Sequence, residues 1–415
     1  MYSCQFTHPA GEALARRLVA SAPDAFEQCF FMSGGSEAME AAIKLARQYW
    51  WDTKNPQRRY FIARQLSYHG NTLGTLALGN HPGRRAPYEV VLEHDAFQHV
   101  SPAYYKRFAK EGESEEDYVK RLAQELESKF QTLGPENVAA CKSIFAVLFC
   151  RTEPCSHNEV VAEPVVGATQ GVTYAPPGYF AAMAEVCKRH GALLIWDEVM
   201  CGMGRMGTTL HAWQGPNSYT DGVAPDILAL AKGLGAGYAS IGAVLFNARV
   251  ASGIRNGSNW LQHGHTYQTH PLACAASLAV QDVIEEENLL ARCADRGQYL
   301  GRLLKEALTG PNAKASPYVF DVRGGGLFWA VEFEFTTTDS EAWFKPQRFG
   351  ERVQAKAMEL GLVIMGMSGG VDGTRGDHII LAPAYTVSEK EVEEIARRTV
   401  KAVEEVLQET VLSSA

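Results

Sequence analysis

Two short apolar runs each end on a charged residue: Ala192–Trp196 leads into Asp197, and Ile227–Ala231 leads into Lys232. Runs without polar alternation suit strands covered on both faces, and such strands belong to parallel sheets flanked by helices. Open α/β sheets hold their ligands beyond the carboxyl ends of the strands. A carboxylate and an amine are therefore expected side by side at one edge of a buried sheet. Taken alone, Asp197 reads equally as a helix cap or loop ion pair, and Lys232 as a solvated lysine. Context separates these readings. Glycines surround Lys232 in A-K-G-L-G-A-G and leave room for a bulky ligand.

A phosphate cradle lies upstream. The run Cys29–Met32 suits a buried strand, and S-G-G-S-E-A follows it, with Gly34 and Gly35 allowing a tight turn before a helix striped by Ala38, Ala42, Leu45, Ala46 and Tyr49. The amides of Gly35 and Ser36, the Ser36 hydroxyl and the helix dipole all favour an anion there. A plain N-cap at Ser36 explains the same residues. Further on, F-I-A-R-Q-L-S-Y-H-G places Tyr68 and His69 just beyond another strand, as a stacking platform or as core aromatics. A phosphate site, an aromatic platform, a lysine and a strand-end carboxylate together fit pyridoxal 5'-phosphate: the lysine bonds the cofactor's aldehyde and the aspartate keeps its ring nitrogen protonated.

Composition removes other classes. The 415 residues are 46% hydrophobic, enough for a large core and two domains. A net charge of −8 without a basic cluster argues against nucleic acid as a partner. No apolar run reaches membrane-span length and the first nine residues lack a signal core, so a cytoplasmic place and no membrane partner are expected. The nine cysteines are scattered without C-x-x-C or metal-ligand spacing, which predicts free thiols and no metal.

The stretches S-G-G-S-E-A, Y-H-G, I-W-D-E-V and A-L-A-K-G resemble the class III aminotransferases from about Thr7 to Leu407. The resemblance implies an α/β fold type I PLP-transferase: a large domain over residues 1–275 with a mostly parallel seven-stranded sheet, and a smaller α+β C-terminal domain over 276–415 that closes over the cleft. It implies transfer of an amino group between an amine or amino acid and a 2-oxo acid; decarboxylase or aminomutase activity, or a non-catalytic relative, are the alternatives. Lys232 and Asp197 would be the catalytic pair, with Gly35, Ser36, Tyr68, His69, Val199 and Thr266 as further cofactor ligands and Glu163 near the substrate. By the same likeness Thr266, in H-G-H-T-Y-Q-T-H, reaches the cofactor of the partner subunit in a homodimer; a helix N-cap is its local alternative.

The chain departs from that pattern in three places. Relatives carry a further strand-rich segment before the point matching Thr7, so part of the smaller domain is expected to be missing. Cys141–Val160 interrupts what should read N-V-A-A-V-A-E-P-V-V-G as one strand, which suggests a retained intron and clouds the placement of Glu163. Many relatives have an arginine just before L-A-P to grip a substrate carboxylate, but this chain has Ile380. That carboxylate would then fall to Arg84 or Arg85, through a guanidinium fork, or the donor would be an amine or ω-amino compound lacking it. Packing alone also explains Ile380, and a loop ion pair the two arginines.

Overall fold

The computed structural model describes residues 6–134, 158–207, 209–215, 218–335 and 348–412. Helix α1 (Pro9–Ala20) is followed by β1 (Gln28–Met32), α2 (Gly35–Asp52), β2 (Tyr60–Arg64), β3 (Phe97–Val100), α3 (Glu115–Leu133), β4 (Asn158–Ala162), α4 (Tyr179–Arg189), β5 (Leu194–Asp197), β6 (Ile227–Leu230) and β7 (Gly242–Phe246). The seven strands form one sheet in the order β1-β7-β6-β5-β4-β2-β3. Only β7 runs against its neighbours, pairing antiparallel with β1 and β6, so the mostly parallel sheet matches the expectation.

The apolar runs form the centre of this sheet because both of its faces are covered. Ile195, Trp196, Ile227, Leu228, Ala229 and Leu230 have no solvent-exposed surface. On one face α3 and α4 contribute Tyr118, Leu122, Leu126, Phe130, Phe180 and Met183 to the core. On the other α2 contributes Ala38, Ala42, Leu45, Ala46 and Tyr49. Ser114 caps α3 by accepting from Asp117 N. At the end of α4, Gly191 takes φ +64°, a left-handed turn suited to glycine, and sends the chain into β5.

Helix α5 (Pro271–Glu286) packs on α1 and runs unbroken through the expected division at residue 275. Arg17 of α1 pairs with Asp282 and Glu285 of α5. Beyond it come α6 (Leu289–Thr309), β8 (Val319–Gly325), β9 (Phe328–Phe333), α7 (Phe349–Glu359), β10 (Met365–Met367), β11 (His378–Leu381) and α8 (Glu389–Leu412). These strands make an antiparallel sheet, β8-β9-β11-β10. Its covering core, with Leu300, Leu304, Val331, Val353, Ile379, Val392 and Val403, begins at Cys293. Ser388 and Glu391 form the expected capping box of α8: Glu391 accepts from Ser388 N at 2.8 Å and Ser388 from Glu391 N at 3.3 Å. Arg205 ties the two sheets, donating to Leu327 O at 3.0 Å and Pro383 O at 2.7 Å.

The interrupting segment and β4 overlap. Asn158, Glu159 and Val160, assigned to the interrupting segment, are the first three residues of this central strand and pair with Tyr60, Phe61 and Ile62. Cys141, Cys150, Cys155 and the run 144–149 lie outside the described residues. No helix is long and apolar enough to cross a membrane, and no cluster of metal-ligating side chains occurs among the described residues. The five described cysteines are free thiols.

Candidate active site

Five chain segments leave the large sheet at the same edge, and a cavity of about 380 Å³ opens where they converge. Strand β1 hands over to Gly34, Gly35 and Ser36; β2 to Tyr68 and His69; β4 to Glu163; β5 ends on Asp197, with Val199 just beyond; β6 is followed by Lys232. A larger cleft of about 1020 Å³ between β8 and the 174–177 and 218–222 loops contains none of the residues singled out from sequence. Convergence of chemistry, and not size, identifies the smaller cavity.

Lys232 follows Ala231 in extended backbone and itself has φ +42°. A left-handed conformation costs a lysine energy, and such costs persist where the surrounding fold imposes them. Burial by surrounding protein lowers the pKa of the ammonium, against the opposing pull of Asp197 and Glu163. That favours the neutral amine. Asp197 is held at both oxygens: His69 Nδ1 lies 2.9 Å from Oδ2, and Val199 N donates to Oδ1 at 3.0 Å. His69 is buried and its Nε2 has no partner.

The start of α2 is an open anion site. Its N-cap is Gly34, which supplies no side-chain cap. Ser36 is therefore not the cap; its hydroxyl accepts from Asn71 N at 3.1 Å and keeps its own proton to donate. Gly35 is dictated by packing, since a Cβ there would sit 2.8 Å from Val199 Cγ1. Glu163 lines the cavity, yet its carboxylate is committed to backbone, accepting from Tyr68 N at 3.2 Å and Gly167 N at 3.0 Å. Burial raises its pKa and Asp197 adds to the rise, while His69 opposes it.

These groups fit pyridoxal 5'-phosphate on the structure's own terms: uncapped helix amides for the phosphate, a lysine amine beside a fixed carboxylate, and an aromatic at the rim. Four sequence candidates lie outside its lining, Arg84 only by the width of the Tyr68 ring against which its guanidinium packs. Thr266 is exposed, in a separate hollow lined by residues 260–266 and 268. Arg85 is a correction: it is buried, donates to Gly79 O at 3.1 Å and pairs with Glu89 at 3.2 Å, because its side chain turns away from the cavity into a local polar cluster. Ile380 is buried among Val165, Ala168, Phe328 and Ala330, as a packing residue. Sequence reading missed Met200, Gly70, Gly237, Ala239, Ser240 and Ile241, which also line the cavity. For the last four, the run rich in small residues after Lys232 was the available signal.

The sequence matches the class III aminotransferase family over residues 1–403. The chain belongs to the class III aminotransferases. An aminotransferase of Gibberella zeae is 41% identical, covering 96% of this chain and 73% of that protein. An uncharacterized aminotransferase of Schizosaccharomyces pombe is 37% identical over 97% and 81% of the two chains. The diaminobutyrate–2-oxoglutarate transaminase of Halomonas elongata is 31% identical over 95% and 77%. Among solved structures, the omega transaminase of Pseudomonas jessenii in complex with PMP superposes with a TM-score of 0.82 at 31% identity, covering 98% of this chain and 81% of that one. This class III aminotransferase thus has fold type I, uses pyridoxal 5'-phosphate and catalyses transamination.

Proposed function

We propose that the enzyme moves an amino group from an amine or ω-amino compound to a 2-oxo acid, with Lys232 and Asp197 as its catalytic pair and a cytoplasmic homodimer as its working form. The carrying observation is the convergence of Lys232, the doubly held Asp197 and the uncapped α2 amides on one cavity. When bound, the cofactor supplies a ring that accepts the electrons left as a substrate Cα–H bond breaks. Lys232 Nζ takes the proton from that Cα and returns one later; its lowered pKa suits both tasks. Asp197, fixed by His69 and Val199 N, holds a negative charge against the ring nitrogen. Gly35 N, Ser36 N and the Ser36 hydroxyl would hold the phosphate. Tyr68 and Val199 line the cavity and would hold the cofactor's ring by packing, and Glu163 holds the Tyr68 backbone in place.

The donor class rests on Ile380, whose buried apolar setting offers no charge to a carboxylate. Likeness to the omega transaminases supports the same class. The dimer rests on the stretch around Thr266, where Trp260, Tyr267 and Leu272 stand 59%, 68% and 73% exposed, an apolar face that a second copy would cover while Thr266 reaches its phosphate. The free thiols fit a reducing cytoplasm. A donor panel of amines, ω-amino acids and α-amino acids, run against pyruvate and 2-oxoglutarate, tests the reading. Amines and ω-amino compounds should yield alanine or glutamate; reaction with α-amino acids alone would overturn the donor class.

A further inference from the structure

Arg84 and Arg85 are neighbours on the helical turn Pro82–Arg85, and the fold treats them differently. Arg85 spends its donors on Gly79 O and Glu89. The Arg84 guanidinium lies 4.6 Å from the centre of the Tyr68 ring, and Tyr68 lines the cavity. Among the described residues its one side-chain hydrogen bond goes from Nη2 to Met367 Sδ at 4.0 Å, a weak acceptor. Nε is buried, and among the described residues it has no hydrogen-bond partner. The charge is felt at the site, since Arg84 contributes to lowering the pKa of Lys232. A half-buried guanidinium with no oxygen partner has paid its desolvation without return, and its planar fork matches a carboxylate.

We propose that Arg84 binds the carboxylate of the amino acceptor, so that this half of the reaction selects 2-oxo acids over aldehydes. The assignment rests on the transaminase reading above and names the group that meets the acceptor's charge where Ile380 cannot. Tyr68 is the platform: its backbone is anchored on Glu163 and its ring carries the guanidinium beside the cavity. The amine donor, lacking a carboxylate, does not need Arg84. The two substrates are thereby distinguished within one cavity.

The experiment uses holoenzyme with pyruvate and with propanal, which has the same carbon chain without the carboxylate. In R84Q the KM for pyruvate should rise roughly 10- to 100-fold, and the kcat/KM ratio of pyruvate to propanal should fall by a similar factor. R84K, keeping the charge but losing the fork, should fall between. R85Q should lower the thermal midpoint and leave that ratio in place. A ratio unchanged in R84Q, or an equal loss for both acceptors, overturns the proposal. Propionate, which has the carboxylate but no oxo group, gives a readout independent of turnover: its titration should perturb the absorbance of the bound cofactor at concentrations at least tenfold lower in wild type than in R84Q. If wild type converts neither acceptor, the transaminase reading fails while the propionate titration still decides Arg84; equal propionate affinities would refute it.

Discussion

Glu159 and Glu163 stand on and just beyond the same strand, β4, and both are buried, at 0% and 5% exposure. Glu163 lies at the carboxyl edge of the sheet, where two backbone amides meet its oxygens. Glu159 lies within the strand, and among the described residues neither of its oxygens has a partner at full hydrogen-bond geometry, its own backbone N–H and the Trp50 indole being the donors nearest to serving it. Burial pushes its pKa up to about 7, against the opposing pull of its own backbone N–H, Arg47, the Trp50 indole and Arg58. The difference separates two uses of a buried charge. At the sheet edge, polar groups are held by loops and point at a cavity; inside the sheet, the strand amides are paired in the ladder, so a carboxylate finds few donors free to satisfy it. Polar residues at the edge should set rate, and the one inside should only cost stability.

The largest effect expected is at the edge. Lys232→Ala should abolish turnover while the thermal midpoint stays near that of wild type and cofactor is retained without a covalent link; wild-type-like turnover would break the assignment. Asp197→Asn should still bind cofactor but lose roughly 10²- to 10³-fold or more in rate, the scale of a main electrostatic partner. An unchanged rate would mean that another group holds the ring charge.

Inside the sheet the prediction reverses sign. Glu159→Met, apolar and of similar volume, should stabilise the protein by about 1–3 kcal/mol, read as a higher thermal midpoint with turnover retained. Deleting residues 141–160 puts Ala139 at the place of Glu159 and should act in the same direction. A lower midpoint in both would show that Glu159 has a stabilising role, and a spliced message still encoding the segment would end the retained-intron reading. The smallest effect is a pH dependence. A carboxyl raised from 4.5 to about 7 contributes stability that is full below pH 4.5 and lost as pH rises through 7. The midpoint gap between Glu159→Met and wild type should therefore widen from pH 5 to pH 7.5 and then level off; a constant gap would place the carboxyl's pKa elsewhere.

The sequence determined the strands and helices that form the large sheet, because continuous apolar runs and 3.6-residue stripes record burial directly. It also placed Asp197 and Lys232 together at one edge of the sheet, since strand ends in such a sheet are where a ligand sits. Tertiary structure decided the rest. It separated Arg84 from Arg85, because consecutive side chains on a helical turn point about 100° apart and only packing says which of them lies against the Tyr68 ring. It turned Glu163 toward the Tyr68 and Gly167 amides, brought His69 to Asp197 across 128 positions of chain, and placed Glu159 in the sheet interior. Each of these depends on contacts between segments distant in sequence, and local pattern carries no record of which distant partner a polar side chain will find.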